Sequence, residues 1–262
     1  MEYNISYACI SHIGRRRRMN QDNFLCAGVC AAAGQTQPLH FPLTGNVSSA
    51  RSVLFGVFDG MGGEERGEMA AYLAAKAAAA IPCGGSPQQA LENVCRTANL
   101  DICRYVEEHD LATCGTTAAM LLPGLNGVNL CNIGDSKIFR CSDGRLKQFS
   151  EDHLSIAPYG EKAPLSQYLG IPPEELVLCP YYTALPYTPA EKYLLCSDGL
   201  TDMVPLEDIT RILTNFSVEQ AAQLLLQRAL DNGGKDNVTL IVLQTEKQAL
   251  SSPFERLKKL FG

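Results

Sequence analysis

The chain has 262 residues, of which 46% are hydrophobic and 19% are charged, the balance of a globular protein. Acidic residues outnumber basic ones by 28 to 22, and the net charge of −6 argues against a general nucleic-acid binder. No apolar run approaches the roughly 18 residues that span a bilayer. The N-terminus also lacks the basic and apolar regions of a signal peptide.

The 11 cysteines indicate a reducing compartment. Their number is odd, none are spaced as CxxC, and no histidine near Cys26 and Cys30 completes a zinc site. Most lie inside apolar runs, where a reduced thiol behaves as a small hydrophobic side chain. We therefore expect free, buried thiols and a cytoplasmic location.

The first half of the chain predicts three strands and a pair of helices. The continuous apolar run over residues 53–58 is typical of a buried strand. Apolar residues from Ala90 to Ile102 recur at helical spacing, after a segment of helical composition that begins with acidic residues. Strands are predicted over 4–10, 22–29 and 53–58, helices over 64–80 and 87–108, and a long loop or irregular hairpin over 33–50.

After Cys114 the hydrophobic pattern changes to short strands separated by turns. Two more helices follow, the second with Ser217 as a plausible N-cap. This order predicts an α+β fold with helices packed outside two antiparallel sheets. Strands are predicted over 116–122, 127–132, 136–141, 146–149, 176–182, 192–196 and 238–245, and helices over 206–215 and 218–231.

The chain shows no internal repeat and no clear linker, so residues 1–246 are predicted to form one domain. Residues 247–262 are predicted to form a C-terminal tail, a short helix with Phe254, Leu257 and Phe261 near one face. Basic residues lie close to that face. The tail either packs on the domain or acts as a docking or membrane-surface element.

Aspartates follow or precede several apolar runs. Asp59, Asp135 and Asp198 each come where a predicted strand ends, and Asp236 comes just before the last strand. Carboxylates on such rigid positions suit Mg²⁺ or Mn²⁺, and two such ions about 3.5–4 Å apart need a bridging carboxylate. An Asp-Gly pair can also be a hairpin turn, which is our interpretation of Asp143-Gly144.

The run Arg15–Arg18 leaves two interpretations open. It is either a solvated basic turn or a phosphate-binding element, because arginine can bind two phosphate oxygens at once. The four histidines form no nucleophile motif with serine or cysteine, so acyl-transfer chemistry has no support. The chain also contains neither GxxxxGK[ST] nor GxGxxG.

Six segments, in chain order, resemble the metal-dependent Ser/Thr protein phosphatases of type 2C in their bacterial form. The segments are RRRRMNQD, VFDGMGGEERGE, CGTTAAM, NIGDSKIFR, LLCSDGLTDMV and GGKDNVTLIVL. The resemblance covers about residues 10 to 243. It implies a four-layer αββα sandwich of two antiparallel sheets flanked by helix pairs, with metal ions in a cleft at one end.

The resemblance also implies an activity and its partners. A water that bridges two Mn²⁺ or Mg²⁺ ions would hydrolyse phosphoserine and phosphothreonine in proteins, including a Ser/Thr kinase, and the protein would be a monomer. The alternative is a catalytically silent phosphoprotein-binding module of the same fold. The acidic composition disfavours a third reading, a two-metal nuclease.

Each site residue takes its role from this resemblance. Arg17, Asp22 and Asp59 are the implied catalytic residues. The implied metal ligands are Asp59, which bridges both ions, the Gly60 carbonyl, Asp198 and Asp236; Asp22 holds metal-bound waters, Arg17 binds the phosphate, and Asp135 and Asp202 hold a third, weaker ion.

Three departures from the family pattern affect the chemistry. Gln21 stands where many relatives have glutamate, which removes one carboxylate near the metals. Met61 stands where eukaryotic members have a histidine proposed as general acid. The segment over residues 154–170 is shorter than the usual bacterial flap, so the resemblance says least about substrate choice.

Overall fold

The computed structural model describes residues 2–35, 39, 41–51, 53–61, 66–80, 85–157, 163–188 and 190–247. The helices are α1 (Gly67–Ala80), α2 (Pro87–Glu108), α3 (Asp198–Thr201), α4 (Leu206–Asn215) and α5 (Val218–Asp231). The strands are β1 (Tyr3–His12), β2 (Asp22–Leu25), β3 (Leu43–Ser48), β4 (Phe55–Asp59), β5 (Ala118–Pro123), β6 (Gly127–Ile133), β7 (Lys137–Ser142), β8 (Arg145–Gln148), β9 (Tyr181–Pro186), β10 (Lys192–Cys196) and β11 (Val238–Lys247).

The strands form two antiparallel sheets that pack face to face. One sheet has six strands in the order β3-β1-β11-β10-β7-β8, and the other has five in the order β2-β4-β5-β6-β9. Alternate side chains of both sheets meet in a shared apolar layer that includes Phe24, Phe55, Leu121, Tyr193 and Ile241. This layer holds the two sheets together, so the aspartates at the ends of their strands keep fixed positions relative to one another.

Helix pairs cover the outer faces of both sheets. α1 and α2 pack on the five-stranded sheet, and α4 and α5 pack on the six-stranded one. The many alanines of α1 allow close approach to its neighbours. Ser217 caps α5, as predicted, and it also forms a capping box with Gln220. The predicted four-layer α+β sandwich is confirmed.

Four predicted elements differ from the structure. β2 ends at Leu25 because Cys26 pairs with Val29 in a tight turn. The segment over 33–50, predicted as a long loop or an irregular hairpin, contains β3, which pairs with β1. The predicted strand over 176–182 is wrong; β9 begins only at Tyr181, because Pro180 has no N–H to donate to a ladder.

α3 is the fourth difference, a short helix where the sequence predicted only the end of β10. The helix predicted over 64–80 begins at Gly67 in the part of the chain that the structure describes. Residues 62–65 lie outside that part. The C-terminal tail predicted as a helix also lies outside it from residue 248 onward, while β11 continues to Lys247.

Candidate active site

An acidic cleft opens at one end of the sandwich, with a volume of about 420 Å³. Loops and strand ends from both sheets meet there, so residues far apart in sequence become neighbours. The cleft is lined by five of the predicted aspartates, Asp59, Asp135, Asp198, Asp202 and Asp236, and by Arg17 and Gly60.

The five-stranded sheet positions Asp59 and Asp22. Asp59 is the last residue of β4, and Asp22, the first residue of β2, is its partner across the ladder. The Asp59 carbonyl accepts hydrogen bonds from the Thr117 backbone N–H at 2.9 Å and from the Thr116 hydroxyl at 2.9 Å. These bonds hold the backbone of Asp59 against the segment that enters β5.

Asp22 lies behind the cleft and does not line it. Its side chain is buried, and the Ser197 hydroxyl donates to its Oδ2 at 2.8 Å. Ser197 directly precedes Asp198 and also accepts from the Thr239 N–H at 3.0 Å. Asp22 is therefore coupled through one hydroxyl to the element that carries Asp198.

The six-stranded sheet positions Asp198 and Asp202 through α3. Asp198 is the first residue of this helix, and the Asp202 N–H donates to the Asp198 carbonyl at 2.8 Å. A Cβ on Gly199 would lie 1.9 Å from the Asn237 carbonyl oxygen. Only glycine therefore lets α3 approach the loop that carries Asp236.

Gly60 has the same function on the other side of the cleft. A Cβ at this position would lie 2.2 Å from the Gly67 carbonyl oxygen at the start of α1. The Gly60 N–H donates to the Gln21 carbonyl at 3.2 Å. The backbone of the predicted carbonyl ligand is therefore held between α1 and the segment that enters β2.

Asn237 ties the arginine-containing loop to the cleft. Its side-chain Nδ2 donates to the Ile13 carbonyl at 2.9 Å and to the Met19 carbonyl at 3.0 Å. Its Oδ1 accepts from the Gln21 N–H at 2.8 Å. Sequence reasoning missed this residue, although it directly follows Asp236.

Arg17 projects into the cleft, where one guanidinium nitrogen lies 2.6 Å from Asp236 Oδ2. Arg15 instead pairs with exposed Asp231 at 3.6 Å. Arg16 and Arg18 are exposed and do not line the cleft. These residues precede β2, so strand alternation is not what separates Arg17 from its neighbours.

Asp135 reaches the cleft on the turn after β6, where the Lys137 amine lies 3.4 Å from its carbonyl oxygen.

Met61, which stands where eukaryotic members have the histidine proposed as general acid, lines the cleft. His153 lies outside the cleft lining, with its Nδ1 3.2 Å from the Gly134 nitrogen. In the described parts of the short flap, Leu154 and Leu165 form an isolated antiparallel bridge, and the Ser155 N–H donates to the Pro164 carbonyl at 2.8 Å.

Burial and mutual repulsion raise the pKa of two aspartates. Burial raises the pKa of Asp22 to about 7, with Asp198 and Asp236 adding to the effect and the Ser197 hydrogen bond opposing it. Burial raises the pKa of Asp59 well above its usual range, and the charges of Asp22 and Asp198 add to this. A hydrogen bond from Arg17 to Asp236 raises the pKa of the arginine.

These side chains fit a site for hard divalent cations. They offer carboxylate oxygens, whose repulsion a cation would relieve. Among the described residues, no three His, Cys, Asp or Glu side chains are arranged to enclose one ion by themselves. Mg²⁺ and similar ions usually keep several waters and need only one or two carboxylates, so the arrangement suits them.

Comparison with known proteins places the chain in a family. A model of the family described as protein phosphatase 2C matches residues 43–232. The chain belongs to the protein phosphatase 2C family. Members of this family are metal-dependent Ser/Thr protein phosphatases, so the resemblance found in the six segments is confirmed.

Two bacterial members of the protein phosphatase 2C family show the extent of the match. The chain is 33% identical over 203 residues to the serine/threonine protein phosphatase PstP of Mycobacterium tuberculosis, covering 72% of this chain and 40% of PstP. It is 27% identical over 210 residues to the serine/threonine phosphatase Stp of Listeria monocytogenes, covering 72% of this chain and 83% of Stp. The chain thus spans well under half of PstP.

Solved structures of the protein phosphatase 2C family share the fold. The catalytic domain of PstP in complex with two manganese ions has a TM-score of 0.75 at 30% identity, covering 94% of this chain and 100% of that one. The phosphatase MsPP of Mycobacterium smegmatis in complex with cacodylate has a TM-score of 0.69 at 27% identity, covering 90% and 97%. No helix among the described residues is both long and apolar enough to cross a membrane.

Proposed function

We propose that this chain hydrolyses phosphoserine and phosphothreonine in proteins with the help of two Mn²⁺ or Mg²⁺ ions. The observation that carries the proposal is the convergence of Asp59, Asp198 and Asp236 with Arg17 in one cleft. The two manganese ions of the PstP catalytic domain support the choice of metal. Substrates are phosphorylated proteins, among them a Ser/Thr kinase, and the proposed location is the cytoplasm.

The proposal assigns the metal ligands to both sheets. Asp59, the Gly60 carbonyl, Asp198 and Asp236 would hold the two ions, with Asp59 shared between them. Asp135 and Asp202 would hold a third ion. When bound, the ions supply an activated water and neutralise charge on the phosphoryl group.

Other groups of the chain bind and orient the substrate. Arg17 already lies at the cleft with its guanidinium 2.6 Å from Asp236, which holds it ready to contact the phosphoryl oxygens. Asp22, which accepts from Ser197, would hold waters bound to the metal ions. Asn237 holds the loop that carries Arg17, so it is a positioning residue.

Removing divalent metal tests the proposal. We expect hydrolysis of a phosphothreonine peptide with Mn²⁺, none with EDTA, and recovery when Mn²⁺ is restored. A catalytically silent module would bind the peptide without hydrolysing it under any of these conditions. Full turnover by thoroughly demetallated protein would refute the role of the metal ions.

Arg17→Ala should lower kcat/KM about 10- to 100-fold, because loss of a charge-assisted, two-pronged contact costs about 1.5–3 kcal/mol. Arg18→Ala should stay within about threefold of wild type, as expected for an exposed side chain. The measurement is kcat/KM on one phosphopeptide for both variants. Equal small losses, fading as salt is raised, would instead indicate a diffuse basic patch.

Met61 should make activity depend on the leaving group. Among the residues that the structure describes, no histidine lines the cleft where a general acid is needed, so a poor alkoxide leaving group receives little help. An aryl phosphate, whose oxide leaves readily, should therefore be a disproportionately good substrate. The test compares kcat across substrates of graded leaving-group pKa. If kcat did not depend on that pKa, either another general acid would be present or a step other than the chemical one would limit the rate.

A further inference from the structure

A wide groove lies away from the acidic cleft. It is a groove of about 810 Å³ between α2 and residues 173–182, here called the α2 groove. Apolar side chains project from both walls: Leu100 is 47% exposed on the helix, and Leu176 and Val177 are 39% and 74% exposed on the facing segment. Nothing established for the cleft uses this surface, and exposed apolar grooves of this kind commonly mark interaction sites.

The segment beyond β11 has the chemistry to fill this groove. Residues 248–262 contain Phe254, Leu257 and Phe261 at helical spacing. They also contain three of the 22 Lys and Arg residues of the chain but one of its 28 Asp and Glu residues. This basic, apolar segment therefore contrasts with the acidic domain that precedes it.

The charges around the α2 groove are complementary to that segment. Glu92 lies on its helical wall, close enough to Tyr182 in the groove to help raise the pKa of that phenol, which burial raises most. Glu174 and Glu175 are exposed between the groove residues Pro173 and Leu176. Arg96 is the one basic residue among those that line the groove within the described chain.

The exit of the chain from the domain puts the groove within reach. Lys247 pairs with Tyr3, whose ring stacks on Tyr187 with the ring centroids 4.1 Å apart. Tyr182 lines the groove five residues earlier along the same segment, which is about 17 Å for an extended chain. The seven Cα-to-Cα steps from Lys247 to Phe254 span about 25 Å, so Phe254 can reach the Tyr182 end of the groove and the residues after it can lie along the groove.

A second apolar groove, between α4 and α5, is a poorer match. It measures about 450 Å³ and includes Phe216 and Leu224. Arg211 and Arg228 line it with Asp231 as the one acidic residue among its described lining. Both arginines pair with Asp208, so this groove offers the basic segment no excess of carboxylates and serves as the internal control.

We propose that residues 248–262 dock in the α2 groove of their own chain. The apolar face of the segment covers Leu100, Leu176 and Val177, and its basic residues approach Glu92, Glu174 and Glu175. A docked segment would also touch the wall that Asn99 ties down, since Asn99 donates to the Ile171 carbonyl at 2.9 Å and accepts from the Gly170 N–H at 2.6 Å.

The absence of tryptophan from the sequence makes a direct test available, because Phe254→Trp places a single indole in the full chain. We expect blue-shifted emission and acrylamide quenching several-fold weaker than for a synthetic 248–262 peptide with the same substitution. Val177→Asp and Glu92→Lys, both at exposed positions, should each return emission and quenching toward the peptide values. Leu224→Asp, in the α4–α5 groove, should leave them unchanged.

Circular dichroism verifies that each variant keeps its fold. Peptide-like emission and quenching in the Phe254→Trp chain would overturn the proposal. The proposal would also be overturned if Leu224→Asp lost the protection of the indole from acrylamide and Val177→Asp kept it. That result would place the segment between α4 and α5. Protection that appears only as protein concentration rises would assign the docking to a second copy, and would overturn it as well.

Discussion

Asp59→Asn should abolish phosphatase activity while making the metal-free protein more stable. Asp59 is the proposed bridging ligand, and changes to mere partners of metal ligands already cost about 10- to 100-fold, so the loss should exceed about 100-fold. Burial and the charges of Asp22 and Asp198 raise the pKa of Asp59, which means that its ionised form is unfavourable in the folded protein. An amide of the same shape removes that unfavourable charge.

Two measurements separate these effects. Activity is assayed with Mn²⁺, and thermal unfolding is followed in EDTA and again with Mn²⁺. We expect a higher midpoint than wild type in EDTA and little further increase with Mn²⁺, because the bound state is no longer stabilised by the metal. Asp101→Asn, at a half-buried carboxylate on α2 that pairs with Arg104 and does not line the cleft, should change neither result. A normal Mn²⁺-induced increase in Asp59→Asn would contradict the bridging role.

The fold was predictable because most elements bury one face or lie wholly inside. Residues 55–58 of the predicted run are buried in β4, and α2 has the predicted bounds. Prediction failed where exposed residues imitate a buried pattern: Val177 is 74% exposed although its segment resembles a strand. It also failed for β3, whose pairing with β1 depends on contacts more than thirty residues away.

The cleft aspartates could be identified because an aspartate that closes a buried strand is visible locally. The roles of these aspartates came from the family resemblance, and those roles stay predictions. The hydrogen bond between Ser197 and Asp22 joins residues 175 positions apart, and the one between Arg17 and Asp236 joins residues 219 positions apart. No local pattern encodes such pairs. The same reason kept Asn237 out of the sequence-based site.

Asn237→Ala should destabilise the protein by about 2–4 kcal/mol, because it removes three hydrogen bonds from a buried amide and leaves backbone groups of residues 13–21 without them. Activity should fall as well, since the loop that carries Arg17 loses its attachment. Denaturant unfolding measures the first effect. Asn232→Ala, which removes a single exposed bond to the Met203 carbonyl, is the matched control and should cost less than about 1 kcal/mol.

A double-mutant cycle distinguishes positioning from general destabilisation. If Asn237 acts through Arg17, Arg17→Ala should cost less in kcat/KM in the Asn237→Ala background than in wild type, because the guanidinium is already misplaced there. Assays well below the unfolding midpoint of each variant keep the enzyme folded. Fully additive losses would show that Asn237 supports the fold alone. A coupled loss would show that an amide 220 positions from Arg17 in sequence sets where the phosphate-binding group lies.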